Sequence, residues 1–260
     1  MYDPLKPSTA FIWRALNLIL SSVAILFSCA LCCSVHASAE DVSSDEGTRQ
    51  NLQAEEKVIY LTFDDGPSEN TPKLLKILDH YGVKATFFVV DTGYDGYITQ
   101  IAEEGHTVAM HSASHKFHQI YKSEEAFFKD LHLIQSCIYE CTGQFCTMLR
   151  FPGGSSNTVS RRYCRGIMTR LVQCIDEMGY HYFDWNVDSM DTAGAKSSEE
   201  VYRNVIAQIK GKDIAVVLQH DIYGFSVDAV PAIIQWGLRA GYTFKALDLN
   251  SPPCKQPVVN

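Results

Sequence analysis

The sequence predicts an α/β fold: about seven parallel strands closed, or nearly closed, into a barrel, with a doubly wound open sheet as the alternative. Two observations carry the prediction. From Lys57 onward, short β-type runs alternate with helical patterns, as crossover connections between parallel strands require. The most conspicuous ionisable residues fall just after the strand-like runs, and in both architectures chemistry sits at the carboxyl ends of the strands. The chain has 260 residues, 46% of them hydrophobic, which is enough for one sizeable core. No repeat of solenoid length is visible.

"VIYLTF" (58–63) is the first strand. "TPKLLKILDHYG" (71–82) is a helix, with Thr71 as capping residue, Pro72 in the first turn and Gly82 at the end. "KATFFVV" (84–90) is the second strand, and a short helix around 96–104 leads to the third, "HTVAMH" (106–111). "SEEAFFKDLHLIQSCIYECTG" (123–143) is a long helix opened by Ser123, before the fourth strand, "MLRF" (148–151). A helix over roughly 159–178 precedes the fifth strand, "YHYFDWNV" (180–187). The helix "SSEEVYRNVIAQIKG" (197–211), the strand "IAVVLQH" (214–220), the helix "DAVPAIIQWGLRAG" (228–241) and the strand "YTFKAL" (242–247) complete the series.

The segment before the first strand reads as targeting and linking sequence. Lys6 and Arg14 lead into the almost wholly apolar "ALNLILSSVAILFSCALCC" (15–33), and "ASA" (37–39) supplies a small-x-small cleavage pattern. Residues 1–39 are expected to be a signal peptide cleaved after Ala39. An uncleaved membrane anchor is the alternative, because the apolar run is long enough to span a bilayer. A lipoprotein reading at "LFSC" (26–29) is weaker, since Phe27 fits it poorly. All three readings put the remainder outside the cytoplasm. Residues 40–56 are polar and acidic and read as a linker, 57–250 as a catalytic domain and 251–260 as a C-terminal tail. Cys137, Cys141, Cys146, Cys164, Cys174 and Cys254 remain after 1–39, an even set that suits disulfides. Cys137 and Cys141, four apart on a helix, are poorly placed to bridge each other, and buried free thiols are the alternative. The net charge of −8 makes nucleic acid a poor partner. A monomer is expected, with membrane contact only through an N-terminal anchor.

Asp64 and Asp65 follow the first strand, and His111 and His115 the third. Arg150 ends the fourth, Asp188 and Asp191 follow the fifth, and His220 and Asp221 the sixth. Any one of these has an easy structural explanation; five strands delivering such residues to one rim point to a site. "HSASH" places two histidines four apart, which on a helical turn sets both imidazoles on one face, where they can share a metal. Alone, that spacing is more often packing. With a carboxylate from the adjacent acids it becomes an open three-ligand site suited to a hydrolytic divalent ion. A dication would also offset the repulsion between Asp64 and Asp65, holding one acid and leaving the other to accept a proton.

"TFDDGPS", "HSASH", "RFPGG", "DWNVDSMD" and "LQHD" stand in that order. Together they resemble the five motifs of the NodB-homology polysaccharide deacetylases, carbohydrate esterase family four, over residues 57–250. The resemblance implies a distorted (β/α) barrel and a secreted or surface-held hydrolase that removes N-acetyl groups from a glycan. Cell-wall peptidoglycan is the expected substrate; chitin oligosaccharides and O-acetylated xylan are alternatives. Carried over by position, it implies Asp64 as general base, oriented by Arg150. Asp65, His111 and His115 would hold one divalent metal ion, expected to be zinc, with cobalt, nickel or manganese as alternatives. Gly153, after Pro152, would offer its backbone N–H to the oxyanion. Asp191 would pair with and tune His220, the general acid, and Leu218 would form an apolar wall for the acetyl methyl.

Two positions depart from the family pattern. Thr192 stands where many members have tryptophan, and Gly153 where many have tyrosine or arginine. Trp185, Tyr223 and Phe225 are candidate sugar-stacking surface instead, with core packing the alternative for Trp185. His118 reads as a surface residue, or one that supports the ligands from behind, rather than a further ligand, and Asp188 and Asp221 as loop supports. Ser155 and Ser156 form no nucleophile elbow. Two other functional readings compete. One is an inactive metal-bearing glycan-binding protein, whose mark would be loss of Asp64, His111, His115 or His220. The other is an amidohydrolase of a small cyclic imide or ureide, which the export signal disfavours.

Overall fold

The computed structural model describes residues 56–260. The expected signal peptide or anchor, and nearly all of the linker, lie outside the described residues. The elements are β1 (Val58–Asp64), α1 (Thr71–His80), β2 (Thr86–Val90), α2 (Asp95–Glu103), β3 (Thr107–Ser112), α3 (Phe117–Ile120), α4 (Glu124–Thr142) and β4 (Met148–Leu149). After a 3-10 turn at Ser160–Arg162 come α5 (Ile167–Glu177), β5 (His181–Tyr182), β6 (Val187–Asp188), α6 (Ser198–Ile209), β7 (Ile214–His220), α7 (Gly224–Arg239) and β8 (Thr243–Phe244).

The strands form one sheet in the order β5-β4-β3-β2-β1-β7-β6, and β8 pairs with the start of β1. Every ladder is parallel. Both faces are covered, so all seven residues of β1 are buried, as expected for a strand between two apolar layers. The period of two sorts its side chains. Ile59, Leu61 and Phe63 join the large cluster with the helices, while Val58 and Tyr60 join Phe88, Ala109, Met148, Phe183, Val216 and Leu247 inside the curl of the sheet. The same inward column ends in Asp64 on β1, paired in register with His220 on β7.

The outermost strands of the row, β5 and β6, share no ladder. Only residues 183–186 join them, so their facing ends are at most ~18 Å apart and the sheet must curl into a nearly closed barrel. The seam is closed by other groups. Arg150 Nε donates to the Phe183 carbonyl (2.9 Å), and an Arg150 terminal nitrogen donates to the Asp184 carbonyl (2.9 Å). Residues 254–256 lie along the seam: Asp184 N–H donates to the Cys254 carbonyl (2.7 Å), and Gln256 donates to the Asp184 carboxylate (2.8 Å) and the Trp185 carbonyl (3.0 Å).

Several boundaries differ from expectation. The fifth strand is interrupted because its middle carbonyls accept from Arg150 instead of a neighbouring strand. The helix expected over 159–178 starts at Ile167, because Gly166 takes a left-handed φ of 74° that no α-helix continues. Helix α7 starts earlier than expected, and β8 is reduced to two residues. Thr71 is not a cap but the first helical residue; its hydroxyl donates to the Asp221 carboxylate (2.5 Å). Ser123 and Ser197 do cap, accepting from Ala126 N–H and Glu200 N–H. The six cysteines among the described residues are all free thiols. No helix among the described residues is long and apolar enough to cross a membrane.

Candidate active site

Two consecutive strand residues face opposite sides of a sheet, so Asp64 and Asp65 cannot both enter one site from a continuing strand. The chain solves this by ending β1 at Asp64 and placing Asp65 in the left-handed region, φ 70°. Both carboxylates then reach the same imidazole. His111 Nε2 lies 3.9 Å from Asp64 Oδ2 and 3.4 Å from Asp65 Oδ1. Gly66 follows because there is no room for more: a Cβ there would sit 2.2 Å from Asp221 Oδ1.

The histidine pair corrects one expectation. The two imidazoles do not sit on a helical turn. His111 is an inward residue of β3, and His115 lies in the following loop with φ 52°. Asp130, reaching from α4, folds that loop: its carboxylate accepts from Ser112 Oγ (2.5 Å), Ala113 N–H (2.8 Å) and Ser114 N–H (2.9 Å). Ser112 Oγ in turn accepts from His115 N–H (2.9 Å). Asp130 was invisible in the sequence, because nothing local distinguishes it from a solvated acid on a helix. Asp65 and His115 are two of the three non-glycine residues with positive φ among the described residues, and such backbone costs of order 1–3 kcal/mol each.

Asp65, His111 and His115 each offer a ligand atom, all within 4.8 Å of one another. The chemistry of the set suits a cation. His111 Nδ1 is 2.8 Å from the Arg150 carbonyl, which can only accept, so the proton sits on Nδ1 and Nε2 turns its lone pair to the cluster. Asp65 Oδ1 is buried with no hydrogen-bond partner, although both imidazoles are near it. Burial opposes ionisation of Asp65, but the surrounding imidazoles of His111, His115 and His220 hold its carboxyl well below the usual range. Burial, with the His111 ring beside it, lowers the pKa of His115. The cluster is open on one side: the His115 and Asp65 side chains are 34% and 22% exposed, whereas His111 is 3% exposed.

Asp64 lies below the cluster, held by Arg150. The guanidinium is wholly buried and spends its donors on Asp64 Oδ1 (2.7 Å), Thr62 Oγ1 (2.7 Å) and the two seam carbonyls. It rests on the Phe88 ring, 4.1 Å from the centroid. Asp64 therefore keeps one oxygen committed and the other turned to the cluster.

On the other side stands His220. Its Nδ1 is 2.8 Å from Asp191 Oδ1, while Asp191 Oδ2 accepts from the His220 N–H (2.8 Å) and Ser226 Oγ (2.6 Å). Nε2 is left facing inward, 3.9 Å from Asp65 Oδ2. Burial disfavours the imidazolium, but Asp191, with Asp64 and Asp65 behind it, raises the His220 pKa to about 9. Burial pushes Asp221 up to about 6; its backbone carbonyl accepts from Ser68 and Asn70, so it braces the loop after β1.

The remaining sequence candidates fall as follows. Gly153 has φ 76° and its N–H makes no hydrogen bond among the described residues; a side chain there would press on Phe117 at 3.1 Å. Phe117 also meets His115 edge-on, and Tyr121 beside it donates to the Pro152 carbonyl (2.8 Å), so these aromatics, missed in the sequence, support both loops. Leu218 is buried on β7, opposite Thr62 and one inward step below His220. Tyr223 lies 6.4 Å from His220 and stacks on Phe225. Trp185 is half-buried over Gly154 and 5.6 Å from the Arg150 guanidinium, on the seam. His118 is exposed, and Asp188 Oδ1 accepts from Met190 N–H in its own loop. Ser155 Oγ is bound to Asp184, not to a histidine.

Comparison with known proteins identifies the family and the fold. Residues 51–171 match the family model described as polysaccharide deacetylase. A peptidoglycan-N-acetylglucosamine deacetylase of Bacillus cereus is 34% identical over 200 residues, covering 74% of this chain and 70% of the relative. The crystal structure of the catalytic domain of a peptidoglycan N-acetylglucosamine deacetylase from Eubacterium rectale superposes with a TM-score of 0.78 at 52% identity, covering 80% of this chain and 96% of that one. A polysaccharide deacetylase structure from Bacillus cereus gives 0.68 at 32% identity, covering 77% and 97%. With the curled parallel sheet in common and similarity extending along most of the described chain, this protein belongs to the polysaccharide deacetylase family.

Proposed function

We propose that this polysaccharide deacetylase is metal-dependent and removes N-acetyl groups from the glycan of cell-wall peptidoglycan, outside the cytoplasm. One observation carries the reading: a three-ligand cluster with an orphaned carboxylate oxygen, flanked by a carboxylate held by arginine and an imidazole held by aspartate. Asp65, His111 and His115 would hold the ion, and imidazole nitrogen with carboxylate oxygen suits zinc, with cobalt, nickel or manganese as rivals. When bound, the ion would polarise the acetyl carbonyl and lower the pKa of a water beside it.

The chain's own groups then divide the proton transfers. Asp64, immobilised through one oxygen by Arg150, accepts the proton of the attacking water on the other. The Gly153 N–H offers a donor to the developing oxyanion, a contribution of roughly 3 kcal/mol where such donors have been removed. His220, kept protonated by Asp191, gives its Nε2 proton to the leaving amine. Leu218 faces the acetyl methyl. The substrate and the location rest on the similarity to peptidoglycan deacetylases and on the apolar N-terminal stretch.

The experiment is acetate release from purified, N-acetylated wall glycan, with and without a chelator, beside chitin oligosaccharides and acetylated xylan. Release from wall glycan that stops on chelation and returns with zinc is expected. Absence of chelator-sensitive release from wall glycan would overturn the assignment.

A further inference from the structure

We propose that Asp95, Cys137 and Cys141 form a second metal site, apart from the rim, that takes one thiophilic divalent ion of the zinc or cadmium class. Cys137 and Cys141 are four residues apart on α4 and so share the helix face that packs on α2. Asp95 begins α2, and its Oδ1 lies 3.9 Å from Cys137 Sγ. The two sulfurs and the carboxylate oxygen all lie within 4.8 Å of one another. The helices are locked at this point, since Thr99 Oγ1 donates to the Cys141 carbonyl (3.0 Å). Both thiols are half-buried while Asp95 is exposed, so an ion can enter from solvent and water can fill the fourth corner of a tetrahedral set. Two sulfurs and one oxygen favour a softer ion than the two imidazoles of the rim.

The charges explain why an ion would matter. Burial, together with Cys141 and Asp95, pushes the Cys137 thiol up to about 12. Three groups that repel one another when ionised are gathered in one place, and a dication reverses that repulsion. Binding forms two metal–thiolate bonds and one metal–carboxylate bond, and releases the two thiol protons to solvent. Occupancy therefore falls as pH falls. None of these residues takes part in the proposed deacetylation, so the site is expected to hold α2 to α4 rather than to act on substrate.

The test is anaerobic titration of the reduced protein with cadmium, following the ultraviolet cadmium–thiolate charge-transfer band. The rim ligands are nitrogen and oxygen and give no such band. The expected result is a band saturating at one ion per chain, absent in a Cys137→Ser/Cys141→Ser double variant that still melts cooperatively and still releases acetate. Asp95→Ala, which leaves both thiols in place, is expected to keep the band and weaken affinity by about tenfold. No band in the reduced wild type, or an undiminished band in the double variant, overturns the site. Unchanged affinity in Asp95→Ala removes the carboxylate from it.

Discussion

Replacing Asp191 by Asn tests whether this carboxylate makes His220 an acid. The substitution keeps size and shape: an amide oxygen can still accept from the His220 N–H and Ser226 Oγ, but the amide nitrogen then faces His220 Nδ1. The charge is gone, and Nδ1 becomes an acceptor, which favours a neutral ring. Asp191 and the acids behind it raise the His220 pKa from 6.5 to about 9, against its burial. If the variant returns His220 towards 6.5, the protonated fraction at pH 8 drops from ~0.9 to ~0.03, about thirty-fold, whereas at pH 6 it falls only by about a quarter. A dication at Asp65 would oppose the rise, so the wild-type basic limb is expected at or below about pH 9. The assay is kcat/KM for acetate release between pH 5 and 10. A basic limb moved down by one to two pH, with activity near wild type at pH 6, is expected. Equal losses at pH 6 and pH 8, or an unmoved limb, would refute the argument. The same pairing has a stability consequence. The folded pKa is raised, so the contribution is fully present below pH 6.5 and is lost as pH rises through about 9; the rise is equivalent to about 3 kcal/mol. Thermal melting of the wild type should therefore fall over that window, and that of the Asn variant should fall less.

Other expectations follow from particular contacts. Asp64→Asn should cut turnover by roughly 10²–10⁴-fold while metal content, measured by elemental analysis, stays near wild type, because Asp64 is not among the three ligands. The same variant leaves the buried Arg150 guanidinium without its carboxylate, so a loss of up to about 3–5 kcal/mol should appear in denaturant unfolding. Asp130→Asn loosens the loop that carries His115, and metal affinity should fall roughly 10–100-fold by competition with a chromophoric chelator. Gly66→Ala drives a methyl into Asp221 and should lower the melting temperature by roughly 2–10 °C, with activity falling in step.

The fold was legible because its signals are local and repeated. Apolar runs such as 58–63 and 214–220 become the two longest strands, β1 and β7. The serines before 124 and 198 are caps because a β-conformation hydroxyl there satisfies a free amide. Legibility failed where a long-range partner decides the backbone. The run 180–187 is β-like in composition, but Arg150 takes its central carbonyls and splits it. The spacing of His111 and His115 suggested a helical turn, yet Asp130 pins a left-handed loop. Thr71 has the chemistry of a cap and is spent on Asp221.

What the amino-acid order determined alone was the alternation of strands and helices, the placing of acids, histidines and one arginine at strand ends, and the motif series that marks the family. These follow from periodicity and residue type, which need no partner. Only the tertiary structure decided how the two neighbouring acids share one site, which oxygen of each is free, and where the barrel closes. Those outcomes depend on groups distant in the chain: β1 must stop and Asp65 must turn left-handed, Arg150 must reach across 86 positions to Asp64, and residues 254–256 must lie in the seam. Side-chain direction is set by the packing of the whole, and the sequence of any one strand carries no record of it.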